Sequence, residues 1–156
     1  MEIRRLTSAD LDALEDFYRS LTEATTHLFR PFGDAEREKL QRHLREADEG
    51  RHVSLGLFGE DGAIEGHTYV SWVQGSAPSF GLGLRERTQG QGWGPKLMAA
   101  VMTAPEVEAL PLVTLTVIKT NERARSIYEK LGFVITGETG AWEPGDSWCM
   151  ERRKPA

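Results

Sequence analysis

The sequence predicts a mixed α/β fold, one twisted sheet flanked by helices. Three observations predict it. Strand-like apolar runs alternate with stretches whose apolar residues recur every three or four positions. An Asp61-Gly62 pair between two apolar runs signals a β-hairpin. A glycine-rich turn joins a strand pattern directly to a helical one. The order reads β-α-α-β-β-β-α-β-α-β-β, and 156 residues suffice for one domain with a sizeable core. No repeat, low-complexity tract or linker divides the chain, so residues 1–156 are read as a single domain.

Each element has its own signal. Residues 2–6 form the first expected strand, followed by Thr7, Ser8, Ala9 and Asp10 as helix-start chemistry. From Asp10 to Thr22, the apolar positions Leu11, Leu14, Phe17, Tyr18 and Leu21 fall on one helical face. Residues 27–33 read as a loop carrying Phe29 and Phe32. Asp34 is placed to cap a charged helix that runs to about Glu49 and closes at Gly50. Residues 52–58 and 64–73 are the hairpin strands. Residues 79–85 are a strand containing Gly81 and Gly83, and glycine inside a strand marks a bulge or a close approach. A helix over 95–104 and a β-branched strand over 112–118 come next. The helix from Asn121 to Leu131 ends at Gly132, before an antiparallel pair over 133–137 and 148–152.

Composition excludes several classes of function. The 19 Lys+Arg and 24 Asp+Glu leave a net charge of −5, which argues against nucleic-acid binding through bulk electrostatics. No apolar leader follows the charged start, and the longest apolar run, 97–102, is far below the ~18 residues of a membrane span. No membrane partner is expected. The single cysteine, Cys149, cannot form an internal disulfide and fits a reducing cytoplasm. His27, His43, His52 and His67 lack metal-ligand spacing, and the His43/Glu46 pair reads as a solvated helix face, so no metal is expected.

The most informative segment is the turn Gln89-Gly90-Gln91-Gly92-Trp93-Gly94 between a strand and a helix. Glycines let successive amides converge, and a helix N-terminus adds partial positive charge, so such a turn suits a pyrophosphate. The spacing fits neither a P-loop, since Lys96 stands between Pro95 and Leu97, nor a GxGxxG turn. It does resemble the Gln/Arg-x-x-Gly-x-Gly/Ala turn of the GNAT superfamily of N-acetyltransferases. Further on, Asn121, Ala124, Tyr128, Gly132 and Phe133 resemble that family's N-x-x-A-x-x-x-Y-x-x-x-G-F segment at every defined position. The element order resembles the family's as well. The resemblance implies a mostly antiparallel sheet splayed between its fourth and fifth strands.

It also implies acetyl-CoA as cosubstrate. Its pantetheine arm would lie along the strand over 79–85, with Leu82, Gly83 and Leu84 in contact and Gly81 and Gly83 allowing the approach. Gln89, Gly90, Gln91, Gly92, Trp93 and Gly94 would hold the pyrophosphate, with Pro95 removing one amide from the cradle. Asn121 would also contact the cofactor, although it serves equally as a helix cap, and Arg125 would either reach the cofactor's phosphates or stay solvated. Tyr128 sits on the apolar stripe Ala124, Ile127, Tyr128, Leu131. In the family this tyrosine protonates the departing thiolate as general acid. The Leu84 amide would stabilise the oxyanion. His67, Glu65 and Glu86 are candidate general bases among which the sequence does not choose.

By the same resemblance the acceptor pocket would draw on Glu23, His27, Phe29 and Phe32 from the early helices. Trp142, Glu143 and Asp146 would complete it, with Trp72 as a neighbour. The expected activity is transfer of an acetyl group to a small amine, or to a protein N-terminus or lysine. A CoA-binding sensor of the same fold is the alternative, and a homodimer rests on family habit alone.

Overall fold

The computed structural model describes residues 1–72 and 76–154. Seven strands make one sheet: β1 (Glu2–Arg5), β2 (His52–Phe58), β3 (Ile64–Ser71), β4 (Ser79–Leu84), β5 (Leu112–Ile118), β6 (Val134–Thr139) and β7 (Ser147–Arg153). Their order across the sheet is β1-β2-β3-β4-β5-β7-β6. Every neighbouring pair is antiparallel except β4 and β5, which run parallel and pair only at Ser79 and Thr114. Past that pair no ladder joins them, and the sheet splits there. Among the described residues six α-helices accompany it: α1 (Leu11–Ser20), α2 (Glu23–Leu28), α3 (Arg37–Asp48), α4 (Trp93–Met102), α5 (Pro105–Glu108) and α6 (Glu122–Lys130).

The strands β2 and β5 fall on the ranges read from the sequence. The departures have local causes. The helix expected over 10–22 stops at Ser20, because Leu21 is extended with ψ 137°, and Thr22 then caps α2. Part of the expected loop over 27–33 is therefore helical. Asp34 does not cap α3; its carboxylate accepts from Arg30, and the helix opens at Arg37 after Glu36. The helix α4 begins at Trp93, two residues early, which makes Pro95 its third residue instead of its first. That position still lies among the four orphan amides of a helix start, so the proline is tolerated. The short α5 follows Ala104, with Pro105 at its first helical position. Val73, expected in the third strand, lies outside the described residues, as do Pro155 and Ala156 at the end of the expected domain.

The sheet has two differently furnished faces. Met98, Val101 and Tyr128 from α4 and α6 pack with Val53, Val70, Phe80, Leu115 and Met150 on one of them. On the other, Leu14, Phe17, Leu40 and Leu44 from α1 and α3 close over Phe58 and Ile64. Full burial of such a side chain contributes about 1.5–3 kcal/mol. Trp72 joins the first cluster and takes no part in lining the cleft at the split. Among the described residues no helix is long and apolar enough to cross a membrane.

Candidate active site

The split between β4 and β5 opens into a cleft of about 860 Å³. Strand alternation shows what β4 offers to it. The Arg85 amide donates to Glu65 O on the β3 side at 2.9 Å, while Pro78 O accepts from Thr114 N on the β5 side at 2.7 Å. Backbone groups alternate along a strand, so Phe80, Leu82 and Leu84 direct their N–H and C=O into the split, and Gly81 and Gly83 bond towards β3. The Leu84 carbonyl is taken by Gln89 Nε2 at 3.0 Å, which leaves the amides of Leu82 and Leu84 facing the cleft.

The two strand glycines, both in the lining of the cleft, also make room for something the sequence does not show. A Cβ on Gly81 would lie 2.4 Å from a Tyr69 ring carbon, and one on Gly83 would lie 2.2 Å from a Phe29 ring carbon. The missing side chains admit aromatic rings, while the Gly83 backbone groups pair with β3 at His67.

After β4 the chain makes a short 3-10 turn over Glu86–Thr88 and then the glycine turn. Gly90 and Gly92 adopt φ values of 76° and 87°, left-handed conformations that favour glycine. Gly92 is also the N-cap of α4 and makes no side-chain cap, so the first amides of the helix remain available for an anion. Gln89, Gly90, Gly92 and Gly94 line the cleft; Gln91 and Trp93 do not. Gln91 instead donates to Arg87 O at 2.8 Å, and the Trp93 ring carries the Lys96 ammonium 4.5 Å from its centroid.

Cationic help at the turn comes from a residue that no sequence motif marks. Arg123 lines the cleft, its guanidinium 3.9 Å from the Cβ position of Gly90. Arg125, expected there, is absent from the lining and lies 3.8 Å from Glu129. Two residues rotate a helical position by about 200°, which separates these arginines. Asn121 lines the cleft and also caps α6, accepting from Ala124 N at 3.3 Å.

Tyr128 lines the cleft with its ring edge-on to Phe80 at 5.6 Å between centroids. Burial raises its phenol to about 12, so the hydroxyl is a proton-bearing donor at neutral pH. Among the described residues it makes no hydrogen bond. The three base candidates fare differently. His67 is fully buried and outside the lining, with Nδ1 bonded to the Tyr18 hydroxyl at 2.6 Å and Nε2 to Ser54 Oγ at 2.8 Å. Burial, and the neighbouring His43, push it well below the usual histidine range. Glu65 is bidentate to Arg87 at 2.8 Å and 2.8 Å, also outside the lining. Only Glu86 reaches the cleft. Burial alone would raise its carboxyl, but hydrogen bonds from Thr22 and Thr25 outweigh that and hold it at about 2.

The far wall comes from α2, its following loop and the β6–β7 connection. His27, Phe29 and Trp142 line it. The Trp142 indole donates to His27 O at 2.8 Å and stacks on the His27 ring at 5.3 Å, fastening the two segments together. Asp146 builds the turn beneath, accepting from the amides of Ala141, Trp142 and Glu143 at 2.7, 3.0 and 3.0 Å. Those bonds hold its carboxyl below the usual range. Phe32 turns away into the cluster with Tyr18 and His43, and Glu23 and Glu143 stay out of the lining. Among the described residues no three His, Cys, Asp or Glu side chains converge to hold a metal.

Comparison with known proteins is consistent with this geometry. The family described as "Acetyltransferase (GNAT) domain" matches residues 1–134, and the chain belongs to it. A phage protein, the 5-NmdU N-acetyltransferase of Pseudomonas phage PaMx11, is 38% identical over 58 residues, 37% of this chain and 39% of that protein. Among solved structures, a GNAT-family acetyltransferase from Streptococcus pneumoniae superposes with a TM-score of 0.82 at 23% identity, covering 98% and 99% of the two chains. The PaiA N-acetyltransferase of Thermoplasma acidophilum, in complex with coenzyme A, gives 0.76 at 19% identity, covering 98% of each.

Proposed function

We propose, with membership of the GNAT acetyltransferase family as the premise, that this chain is an acetyl-CoA-dependent N-acetyltransferase. Its acceptor is a primary amine, on a small molecule or at a protein N-terminus or lysine. One observation carries the reading: the split strand presents the Leu82 and Leu84 amides in the same cleft as an uncapped helix start and a Tyr128 hydroxyl that has no hydrogen-bond partner among the described residues. The phage relative, an N-acetyltransferase by name, supports it. A cytoplasmic setting goes with it.

Bound acetyl-CoA supplies an activated acyl group. The residues of the chain do the rest. Amides at the α4 start, the left-handed Gly90–Gly92 turn and Arg123 bind the pyrophosphate. The strand-edge amides of β4 align the pantetheine arm, and the Leu84 amide faces the developing oxyanion. Tyr128 donates its proton to the departing thiolate. No general base is assigned among His67, Glu65 and Glu86, because two lie outside the cleft and the third holds its proton too weakly. The ammonium therefore loses one proton to water before attack, the nitrogen of the tetrahedral intermediate loses a second, and water returns a proton to the Tyr128 phenolate.

A thermal-shift series with acetyl-CoA, ATP and NAD tests the cofactor. At a hundredfold excess over Kd, acetyl-CoA should stabilise the fold by ~2.7 kcal/mol. No shift would refute the reading. Thiol release tests the chemistry: Tyr128→Phe should lower kcat by roughly 10²–10⁴-fold with acetyl-CoA affinity unchanged. With no enzyme base, kcat/KM should rise with pH towards the acceptor's own pKa, ~10.4 for an alkylamine. Tyr128, at about 12, should impose no fall before that. A plateau reached near neutrality would show that an enzyme base exists after all.

A further inference from the structure

Tyr69 was singled out by nothing in the sequence. A tyrosine in a β-strand is ordinary, and the strand carries several β-formers. In the structure it is the group for which Gly81 has no side chain. The hydroxyl would lie 2.5 Å from a Cβ at that position, and Tyr69 lines the cleft. Gly81 is cross-strand to Tyr69 in the β3–β4 register, so the phenol reaches directly across the strand that bears the cleft-facing amides. Among the described residues its hydroxyl, like that of Tyr128, makes no hydrogen bond.

The two phenols approach β4 from opposite sides. Tyr128 packs on Phe80, whose side chain points into the apolar cluster. Tyr69 occupies the side-chain position of Gly81, the next residue, on the other face. The wall formed by Phe29, His27 and Trp142 completes that second side, since Phe29 fills the position of Gly83 two residues on.

We infer that Tyr69 is an acceptor-binding residue, its phenol oxygen accepting a hydrogen bond from the incoming amine on the face of β4 opposite Tyr128. The inference rests on the function proposed above. It divides the labour between the two tyrosines: Tyr128 serves the leaving thiolate and Tyr69 orders the nucleophile. Burial, and the nearby Tyr128 phenol, raise Tyr69 above the ordinary phenol range, so it remains neutral and offers its lone pairs. The ring is held by a packed surround, with centroids of His67 at 5.3 Å, His43 at 5.4 Å and Phe32 at 6.1 Å. The buried histidines therefore act on the site through Tyr69, without touching substrate. The acceptor this arrangement takes bears at least one N–H in its reactive, neutral form.

The experiment compares wild type, Tyr69→Phe and Gly81→Ala with tyramine, spermidine and an alanine-terminated hexapeptide as acceptors. Tyr69→Phe should raise KM for the amine and lower kcat/KM about three- to tenfold, one hydrogen bond's worth, with the acetyl-CoA thermal shift unchanged. Gly81→Ala removes no hydroxyl, yet should reproduce the defect by displacing the ring. Unchanged amine kinetics in Tyr69→Phe, beside an active wild type, would overturn the inference alone. A loss confined to acetyl-CoA affinity would overturn it as well, by moving Tyr69 to the cofactor. Absence of both acetyl-CoA stabilisation and turnover in the wild type would remove the proposed function, and this inference with it.

Discussion

The two faces of the sheet solve the problem of burial with different materials. Beneath α4 and α6, β2 and β3 contribute Val53, Leu55 and Val70 to an apolar cluster with Met98, Val101 and Phe133. On the opposite face the same strands contribute His52, Ser54, His67 and Tyr69. There Ser54 Oγ lies 2.8 Å from His67 Nε2 and 2.9 Å from His43 Nε2. One hydroxyl can donate to one ring nitrogen and accept from the other, so both Nε2 atoms are satisfied while the rings are neutral. Apolar packing tolerates exchange of similar volumes, whereas a hydrogen-bonded polar cluster fixes specific partners and the groups that rest on it. The polar cluster lies under Tyr69 and Phe29, on the cleft side.

Three measurements put that contrast to the test. On the apolar face, Met98 is fully buried, and Met98→Ala should cost about 2–5 kcal/mol in chemical denaturation. A loss under about 1 kcal/mol would mean that the packing there is loose. On the polar face, Ser54→Ala removes the shared hydroxyl and strands two ring nitrogens, for roughly 1–3 kcal/mol. Its distinguishing sign is an accompanying change in amine KM, which Met98→Ala should not produce. The third is a pH effect. Burial, and the charge of His52, lower His43 to about 3, and His67 is lowered in the same direction. The unfolded chain then binds more protons than the fold below the ordinary histidine value of ~6.5, so stability is full above it and falls as pH drops towards 3. The slope should be about 1.4 kcal/mol per histidine per pH unit, and a flat profile from about pH 7 to 5 would show that the histidines are hydrated.

Much of the scaffold was legible because its causes are local. Continuous apolar runs set β2 and β5, Asp61-Gly62 sets the hairpin turn, and Asn121 caps its own helix. The glycine turn and the uncapped start of α4 were legible for the same reason, since turn and helix are contiguous in the chain. The sequence misleads where a long-range partner decides. Gly81 and Gly83 signal a close approach in the sequence, but only the fold shows that Tyr69 and Phe29 make it. His67 could be placed on a strand, but its two hydrogen bonds come from residues 49 and 13 positions away. Arg123 and Arg125 cannot be ranked by type, only by the side of α6 that meets the cleft.

The single Ser79–Thr114 pair between β4 and β5 also bears on how the chain is made. Strands β1 to β4 are neighbours in space in nearly the order in which a ribosome would release them, and the α1–α3 cluster is complete by Ile64. The α1–α3 face of this N-terminal slab therefore needs few of the later residues and can form during synthesis, whereas its other face stays open until α4 and α6 arrive. The second slab, β5 to β7, joins it through one strand pair and the apolar cluster under α4. The cleft is the seam between a part built early and a part built late.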